Sequence, residues 1–490
     1  MLPTVSSPTP RQAAASAPLW PRQVGLLLCV LVACLVGIFS RPLGFLAAFW
    51  PANALLLGVM LRHPRLGTAP STWALAFAVY VITDMVTGSH WELAVLLNGA
   101  NLLGVGVGWL YLRQHASDVL HFRRPRAVLH LFIGCVLASV SCMLVGAAPG
   151  SYAFGVPLWQ SLVLWFSSEF YNYILILPVF LAAPDSWRAL AQQGAQRLTW
   201  RTLAPAMLLL ASEILSLLVP GPGAMAFIMP GMVWCAMRYG ILPTAVLNLL
   251  VCTWKSASVV LLNAAFSFSP EHVMETTSYR TGLALLSLAP LAVACAYALR
   301  LEALEKLRYA VNHDYLTGTL TRRAVMERGQ KLLTRMQSSG EALAVIMLDL
   351  DYFKRINDQF GHAQGDKVLQ GFAHLAQAQV RPEDVLGRMG GEEFALVLPC
   401  TNHAQALAIA QRLCAQMRQH AFALPSGQAL YVSLSAGIHA VKPPTAGDTL
   451  EQLLSHADAA LYQAKSAGRN QVVSSTPQST QPSLPATLPW

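Results

Sequence analysis

Long apolar runs dominate residues 24–299, whereas residues 300–473 mix polar and apolar positions with the periods of an ordinary globular fold. A membrane span needs roughly 17–25 mostly apolar residues. Such runs centre near residues 32, 52, 79, 102, 137, 170, 211, 230, 252 and 290, which predicts about ten spans. Arg62 and Arg65, then Arg113, Arg123, Arg124 and Arg126, then Arg188, Arg197 and Arg201 fall in alternate loops, and Arg238 and the Arg300/Lys306/Arg308 group continue the series. The intervening loops are nearly free of Lys and Arg apart from Arg41 and Arg280, which is read as lying at a span edge. This alternation predicts a cytoplasmic location for both ends of the chain.

The same pattern divides the chain. Residues 1–21, rich in Ser, Pro and Ala, read as a disordered start, and 22–299 as a polytopic membrane domain. Residues 300–314 read as a linker helix. Its Leu304, Leu307 and Val311 keep a three-then-four spacing that suits a short coiled coil or an ordinary amphipathic helix equally. Residues 315–473 form the soluble domain, and 474–490, polar and Pro-rich, read as a disordered tail. Within the soluble domain, Ala342–Leu350 is a short apolar run that ends in acids and reads as a buried strand. Val385–Arg388 and Phe394–Leu398 read as a hairpin around Gly390–Gly391. Tyr431–Ala440 reads as a further strand, and Val368–Gln379, Ala404–His420 and Leu450–Ala467 as helices. The fold class expected is a multi-pass α-helical membrane domain followed by an α+β domain, its antiparallel-rich sheet covered by helices.

Composition supports the division. Only 12% of the 490 residues are charged against 54% hydrophobic, and mean hydropathy is +0.46; soluble domains carry about twice that charged fraction. The net charge of +9 is accounted for by cytoplasmic loops, so no nucleic-acid partner is expected. Nine cysteines without CxxC spacing or a nearby His cluster suggest neither a zinc site nor a disulfide framework.

Two acidic groups mark the soluble domain. Asp349 and Asp351 close the first strand, and Glu392 and Glu393 follow the two glycines of the hairpin. Carboxylates at strand ends are usually solvated and inert. If the two strands are neighbours, however, the acids converge, and converged carboxylates repel unless a cation joins them. Hard oxygen ligands select magnesium, which also takes substrate phosphates. Lys354, five residues after Asp349, is then placed to meet the same phosphates.

Five motifs, in order, now carry a resemblance. They are Asn312–Gly318 with Arg322–Arg323; Asp349–Asp358 with Gly361–His362 and Gly365–Asp366; Arg388–Phe394; Ser433–Gly437; and Ala459–Lys465 with Gly468–Asn470. Over about 160 residues the domain resembles the GGDEF diguanylate cyclases, in the GGEEF form. The resemblance implies a palm-like fold shared with nucleotide cyclases and polymerases, and a homodimer that condenses two GTP into cyclic di-GMP and two pyrophosphates. It implies Mg2+ (or Mn2+) held by Asp349, Glu392 and the Leu350 carbonyl, with Glu393 in support. Glu392 would be the general base and Lys354 would stabilise the transition state. Phe353, Lys354, Asn357, His362, Asp366, Lys465 and Arg469 would bind GTP. Arg381 and Asp384, an RxxD pair just before the signature loop, would form a product-inhibition site for cyclic di-GMP. Thr319, Thr321 and Ala436 depart from the family's usual residues, and none touches the implied chemistry.

The membrane half resembles MASE-type integral membrane sensor domains through Phe49–Asn53, Glu169–Pro178 and Pro230–Gly240. The pair of resemblances implies an enzyme of the cell inner membrane regulated by an intramembrane sensor. Asp84, Glu169, Glu213 and Lys255 lie within apolar runs, where ionisable groups are costly and either pair or bind a signal. The alternative reading of the whole chain is a catalytically inactive GGDEF receptor that binds GTP or cyclic di-GMP. A transporter and a bifunctional enzyme are weaker readings, since neither an internal repeat nor a hydrolase domain is visible.

Overall fold

The computed structural model describes residues 18–40, 49–122, 124–184, 199–219, 221–262, 270–424 and 427–475. The chain divides into two compact units, Met1–Glu302 and Ala303–Trp490.

The first unit is helical. Its longer helices are α1 (Trp20–Phe39), α2 (Pro51–Arg62), α3 (Pro70–Val86), α4 (Trp91–Leu112), α5 (Arg126–Phe154), α6 (Leu158–Ala182), α7 (Trp200–Leu218), α8 (Met229–Tyr239), α9 (Ile241–Leu262) and α10 (Pro270–Asn312). Proline stands in the first two positions of α1, α2 and α3, where its fixed φ suits a helix start and its missing N–H costs nothing. Each expected span centre falls inside one of these helices. Six stretches among the described residues are long and apolar enough to cross a membrane: Trp20–Phe39, Trp91–Phe122, Arg126–Ala153, Leu158–Ala182, Trp200–Leu218 and Val273–Asn312. The 12 residues of α2 reach only about 18 Å, short of a hydrocarbon core of about 30 Å.

Burial in this unit departs from that of a soluble protein: outside a packed apolar core, many large apolar side chains are exposed while polar ones are buried. Leu28, Val32, Ile82 and Leu144 are exposed, whereas Asn53, Asp84, Asn98, Asn101 and Glu169 are buried. The buried set is joined by hydrogen bonds. Asn53 Nδ2 donates to Glu169 Oε2 at 2.9 Å and to Asn101 Oδ1 at 3.2 Å. Asn101 Nδ2 donates to Asn98 Oδ1, and Asn98 Nδ2 to Asp84 Oδ2, each at 3.3 Å. A second polar centre pairs Lys255 Nζ with Glu213 Oε2 at 3.0 Å and with Ser216 Oγ at 2.7 Å. Polar groups thus face inward and find one another, the arrangement that an apolar surrounding demands.

Two expectations are corrected here. Residues 20 and 21 belong to α1 rather than to a disordered start. No separate linker helix occupies 300–314, because α10 runs unbroken to Asn312 with Leu304, Leu307 and Val311 exposed along it. Arg280 lies within α10 and is buried.

The second unit is a six-stranded sheet in the order β1-β3-β4-β2-β7-β8, with β1 Leu320–Thr321, β2 Leu343–Leu350, β3 Val385–Gly390, β4 Glu393–Pro399, β7 Leu434–Val441 and β8 Val472–Ser474. Strands β5 (Ala421–Ala423) and β6 (Ala429–Tyr431) form a separate ribbon. The inner pairings are antiparallel and the two outer ones parallel. Every residue of β2 is buried, because helices cover both faces of this central strand. On one face Ile346, Leu348, Phe394 and Leu396 pack with α12 (Phe353–Phe360), α13 (His362–Gln377) and α14 (His403–Gln419). On the other, Val345, Met347, Ala395 and Val397 pack with α11 (Arg322–Ser339) and α15 (Leu450–Ser466). Strand β7 starts three residues later than its alternation predicts. The Ser433 carbonyl turns aside to accept the Asp351 N–H, and Tyr431 pairs in the ribbon. The C-terminal boundary also moves: Ser474 is in β8 and Ser475 N–H donates to the Ile438 carbonyl. The rest of the expected tail lies outside the described residues.

Candidate active site

The register of two neighbouring strands brings the acids together. Asp349 of β2 lies directly opposite Glu393 of β4, and the Leu350 N–H donates to the Glu392 carbonyl at 3.4 Å. Glu392 occupies the turn between β3 and β4, which Gly390 and Gly391 shape with φ of +154° and +53°; a side chain at either position would be strained. Asp349 is 6% exposed, while both glutamates are half-buried. Lys465, in the last turn of α15, reaches back to place Nζ 2.8 Å from Asp349 Oδ2. Burial pushes the Asp349 carboxyl up to about 6, with Glu392 and Glu393 adding to the rise and Lys465 opposing it.

No group of three His, Cys, Asp or Glu side chains converges on one point among the described residues. The donor set nevertheless fits magnesium, which commonly takes one or two carboxylates and completes its shell with water and phosphate oxygens. Leu350 is fully buried beside these acids.

Asp351 has a different role from Asp349. Its carboxylate accepts hydrogen bonds from Ser433 Oγ and Ser435 Oγ, both at 2.6 Å, and from the Asn470 N–H at 3.0 Å. It is a fastener that ties the end of β2 to β7 and to the loop after α15. The sequence grouped the two aspartates, but their partners separate them.

The residues after β2 form a second group. Tyr352 takes a left-handed φ of +58°, turning the chain into α12, where Phe353 is buried and Lys354 exposed. Asn357 Oδ1 packs so close to Gly365 that a Cβ there would collide with it, so the glycine is fixed by contact. His362 opens α13, and Asp366 follows one turn on, both exposed. The Arg469 guanidinium lies over the Tyr352 ring, 4.6 Å from its centroid, and its Nη1 donates to Tyr352 Oη at 3.4 Å.

Two further placements complete the geometry. Arg388 Nη1 lies 3.1 Å from Asp314 Oδ1, and its Nε donates to the Gly391 carbonyl at 2.8 Å. The segment just after α10 is thus tied to the glycine turn. Burial acts to raise Asp314, but hydrogen bonds from Thr317 and the Arg388 guanidinium outweigh it and hold the carboxyl below the usual range. Arg381 and Asp384 close a turn, with Arg381 N–H donating to Asp384 Oδ2 at 2.7 Å. Burial raises the Asp384 carboxyl against the opposing Arg381. This turn precedes β3, whereas the acids follow it, so the strand length keeps the two roughly 17 Å apart.

A model of the diguanylate cyclase GGDEF domain matches residues 311–471. The probable diguanylate cyclase DgcF of Escherichia coli strain K12 is 31% identical over 312 residues, covering 62% of this chain and 95% of its own length. The chain belongs to the GGDEF-domain diguanylate cyclase family.

The corresponding DgcF of Escherichia coli O157:H7 is 29% identical over 442 residues, covering 89% of this chain and 90% of its own length. Among solved structures, the GGDEF domain of Caulobacter crescentus DgcB, in complex with c-di-GMP, is 27% identical, covers 34% of this chain and 95% of that one, and has a TM-score of 0.32.

Within this GGDEF domain, sequence reasoning found the acids and their neighbours but missed the Asp314–Arg388 tie and the Asp351 fastening. Asp314 and Arg388 both stood inside recognised motifs; nothing in their local sequence announced that they pair. A cavity of about 480 Å3 opens beside Glu393 on the α11/α15 face, lined in part by Arg322, Met347, Met389 and Asp458. Asn357, His362 and Asp366 lie on helices of the opposite face.

Proposed function

We propose that the chain is an active diguanylate cyclase of the GGEEF form, condensing two GTP into cyclic di-GMP with release of two pyrophosphates. One observation carries the reading: the β2–β4 register sets Asp349 opposite Glu393, with Glu392 in the adjoining turn. A magnesium or manganese ion bound there would polarise the α-phosphate and ease ionisation of the attacking hydroxyl. Asp349 and Glu392 hold the ion with the Leu350 carbonyl, and Glu393 supports them. Glu392 accepts the proton of the 3′-hydroxyl. Lys354, Lys465 and Arg469 bind the triphosphate, Arg469 in a fork geometry. Phe353 packs under the nucleotide, and Asn357, His362 and Asp366 read the guanine edge, whose donors match a carboxylate and an amide oxygen.

Each active site holds one GTP, so two protomers face each other across a two-fold axis. Arg381 and Asp384 bind product and damp the reaction. The helical unit lies in the cell inner membrane with both chain ends cytoplasmic, supported by its exposed apolar surface, its buried polar groups and the Arg alternation, and regulates the cyclase as a MASE-like sensor.

The test is incubation of the full-length protein, purified in detergent, with GTP and magnesium, followed by separation of the nucleotides. Cyclic di-GMP and two pyrophosphates per product are expected. Asp349→Asn and Glu392→Gln should each lower the rate about a hundredfold or more. Intact GTP with tight nucleotide binding would instead identify an inactive receptor.

A further inference from the structure

Backbone strain gathers at one edge of the candidate active site. Six non-glycine residues take a left-handed φ among the described residues, and three of them, Tyr352 at +58°, Arg469 at +65° and Asn470 at +47°, belong to this edge. A side chain with a Cβ is strained in that region, and the strain persists only where surrounding contacts impose it.

The contacts run between two pairs of consecutive residues. Asp351 Oδ2 accepts the Asn470 N–H at 3.0 Å, and the Ala464 carbonyl accepts the Arg469 N–H at 3.0 Å. Together they fix the main chain of the loop after α15. Tyr352 fixes the side chain. The Arg469 guanidinium carbon lies 4.6 Å from the centroid of its ring, and Arg469 Nη1 donates to Tyr352 Oη at 3.4 Å. A cation over a ring face at this range is attracted by the ring quadrupole. The Arg355 guanidinium lies 4.8 Å from the same centroid, so one ring holds two cations. Tyr352 is 49% exposed and fills no core position. What its strained backbone secures is the placement of the ring.

We infer that Tyr352 is a positioning residue for the triphosphate, holding the Arg469 guanidinium in place before substrate arrives and acting through Arg469 alone. The inference rests on the reading of Arg469 as a phosphate ligand. A loose arginine gives up rotamer freedom when it clamps a phosphate, whereas a stacked one has already given it up. Nη1 is committed to the Tyr352 oxygen, and the remaining N–H groups can meet phosphate oxygens.

Full-length protein in detergent would be titrated with 3′-deoxy-GTP and magnesium. This probe lacks the attacking hydroxyl and reports binding alone. Tyr352→Gly should raise half-saturation about tenfold, while Tyr352→Phe, which keeps the ring, should stay within about twofold. Glycine adopts a left-handed φ freely, so the melting midpoint of Tyr352→Gly should not fall with the affinity, as it would if the ring were merely structural. With GTP as substrate, the same variant should raise KM and leave kcat within about twofold. Arg469→Ala should weaken the probe as well, and adding Tyr352→Gly to it should cost nothing further. Should Tyr352→Gly fail to fold, Tyr352→Asn also tolerates a left-handed φ and removes the ring. Unchanged or tighter probe binding in the ringless variant, or losses that add in the double variant, overturns the inference while leaving Arg469 a phosphate ligand. Probe binding indifferent to Arg469→Ala overturns both.

Discussion

Lys465 Nζ stands 2.8 Å from Asp349 Oδ2, and still the Asp349 carboxyl titrates near 6, because burial and the two nearby glutamates outweigh the ammonium. A carboxyl raised in the folded state binds its proton more tightly there than in the unfolded chain. Its ionisation therefore opposes folding as pH rises from about 4 to about 6, and the cost is constant above. With magnesium present, Asp349→Asn should abolish cyclic di-GMP synthesis, and in EDTA it should stabilise the fold by on the order of 1 kcal/mol at pH 7, a figure discounted for solvent screening. Thermal melts between pH 4 and 8 check it. The advantage of the variant should vanish near pH 4, and a variant less stable than the wild type at pH 7 would refute the account.

The Asp314–Arg388 tie has the opposite sign. The Asp314 carboxyl lies below its usual range, so the stability it contributes is complete above the unfolded value of about 4 and is lost as pH falls through the folded value. Arg388→Ala leaves Asp314 half-buried without its cation and frees the Gly391 carbonyl. The expected loss is about 2 kcal/mol, together with a drop in kcat that exceeds any change in KM, because the glycine turn carries Glu392. Asp314→Asn should flatten the acid limb of the stability profile. Melting midpoints and steady-state kinetics on the same preparations separate the two effects.

How much of this was visible beforehand depends on range. Strand β2 announced itself by an unbroken apolar run and the β3–β4 hairpin by its two glycines, but that β2 and β4 are neighbours, on which the meeting of Asp349 with Glu392 and Glu393 depends, is a long-range pairing that local pattern does not contain. Asp351 could not be told from Asp349 in the same way. Its partners Ser433, Ser435 and Asn470 lie 82, 84 and 119 residues away, and spacing says nothing about contacts at that distance. Strands β1 and β8, two and three residues long, are too short to show any period.

The Arg381–Asp384 turn is held by backbone contacts with its side-chain guanidinium exposed. Such a group is free to clamp a phosphate or stack on a guanine. Arg381→Ala should leave the initial rate unchanged within about twofold and raise the cyclic di-GMP concentration needed for half-inhibition about tenfold or more. Progress curves with added product provide the measurement. Half-inhibition at the wild-type concentration would remove the turn from the regulatory scheme.

The buried Lys255–Glu213 pair lends itself to a cycle of substitutions. Among the described residues the Glu213 carboxylate has no partner beyond Lys255 at 3.0 Å, and Lys255 Nζ has Ser216 Oγ as its other partner. Removing either charge strands the other in an apolar bundle, so Lys255→Met and Glu213→Leu should each cost about 3–5 kcal/mol. Removing both eliminates the desolvation penalty along with the attraction, and the double variant should return close to wild-type stability. A coupling energy near zero across the cycle would mean that the two charges do not meet in the folded unit. Because each single variant exposes a charge that the double variant lacks, the sign of the coupling discriminates a compensating pair from two independent packing defects.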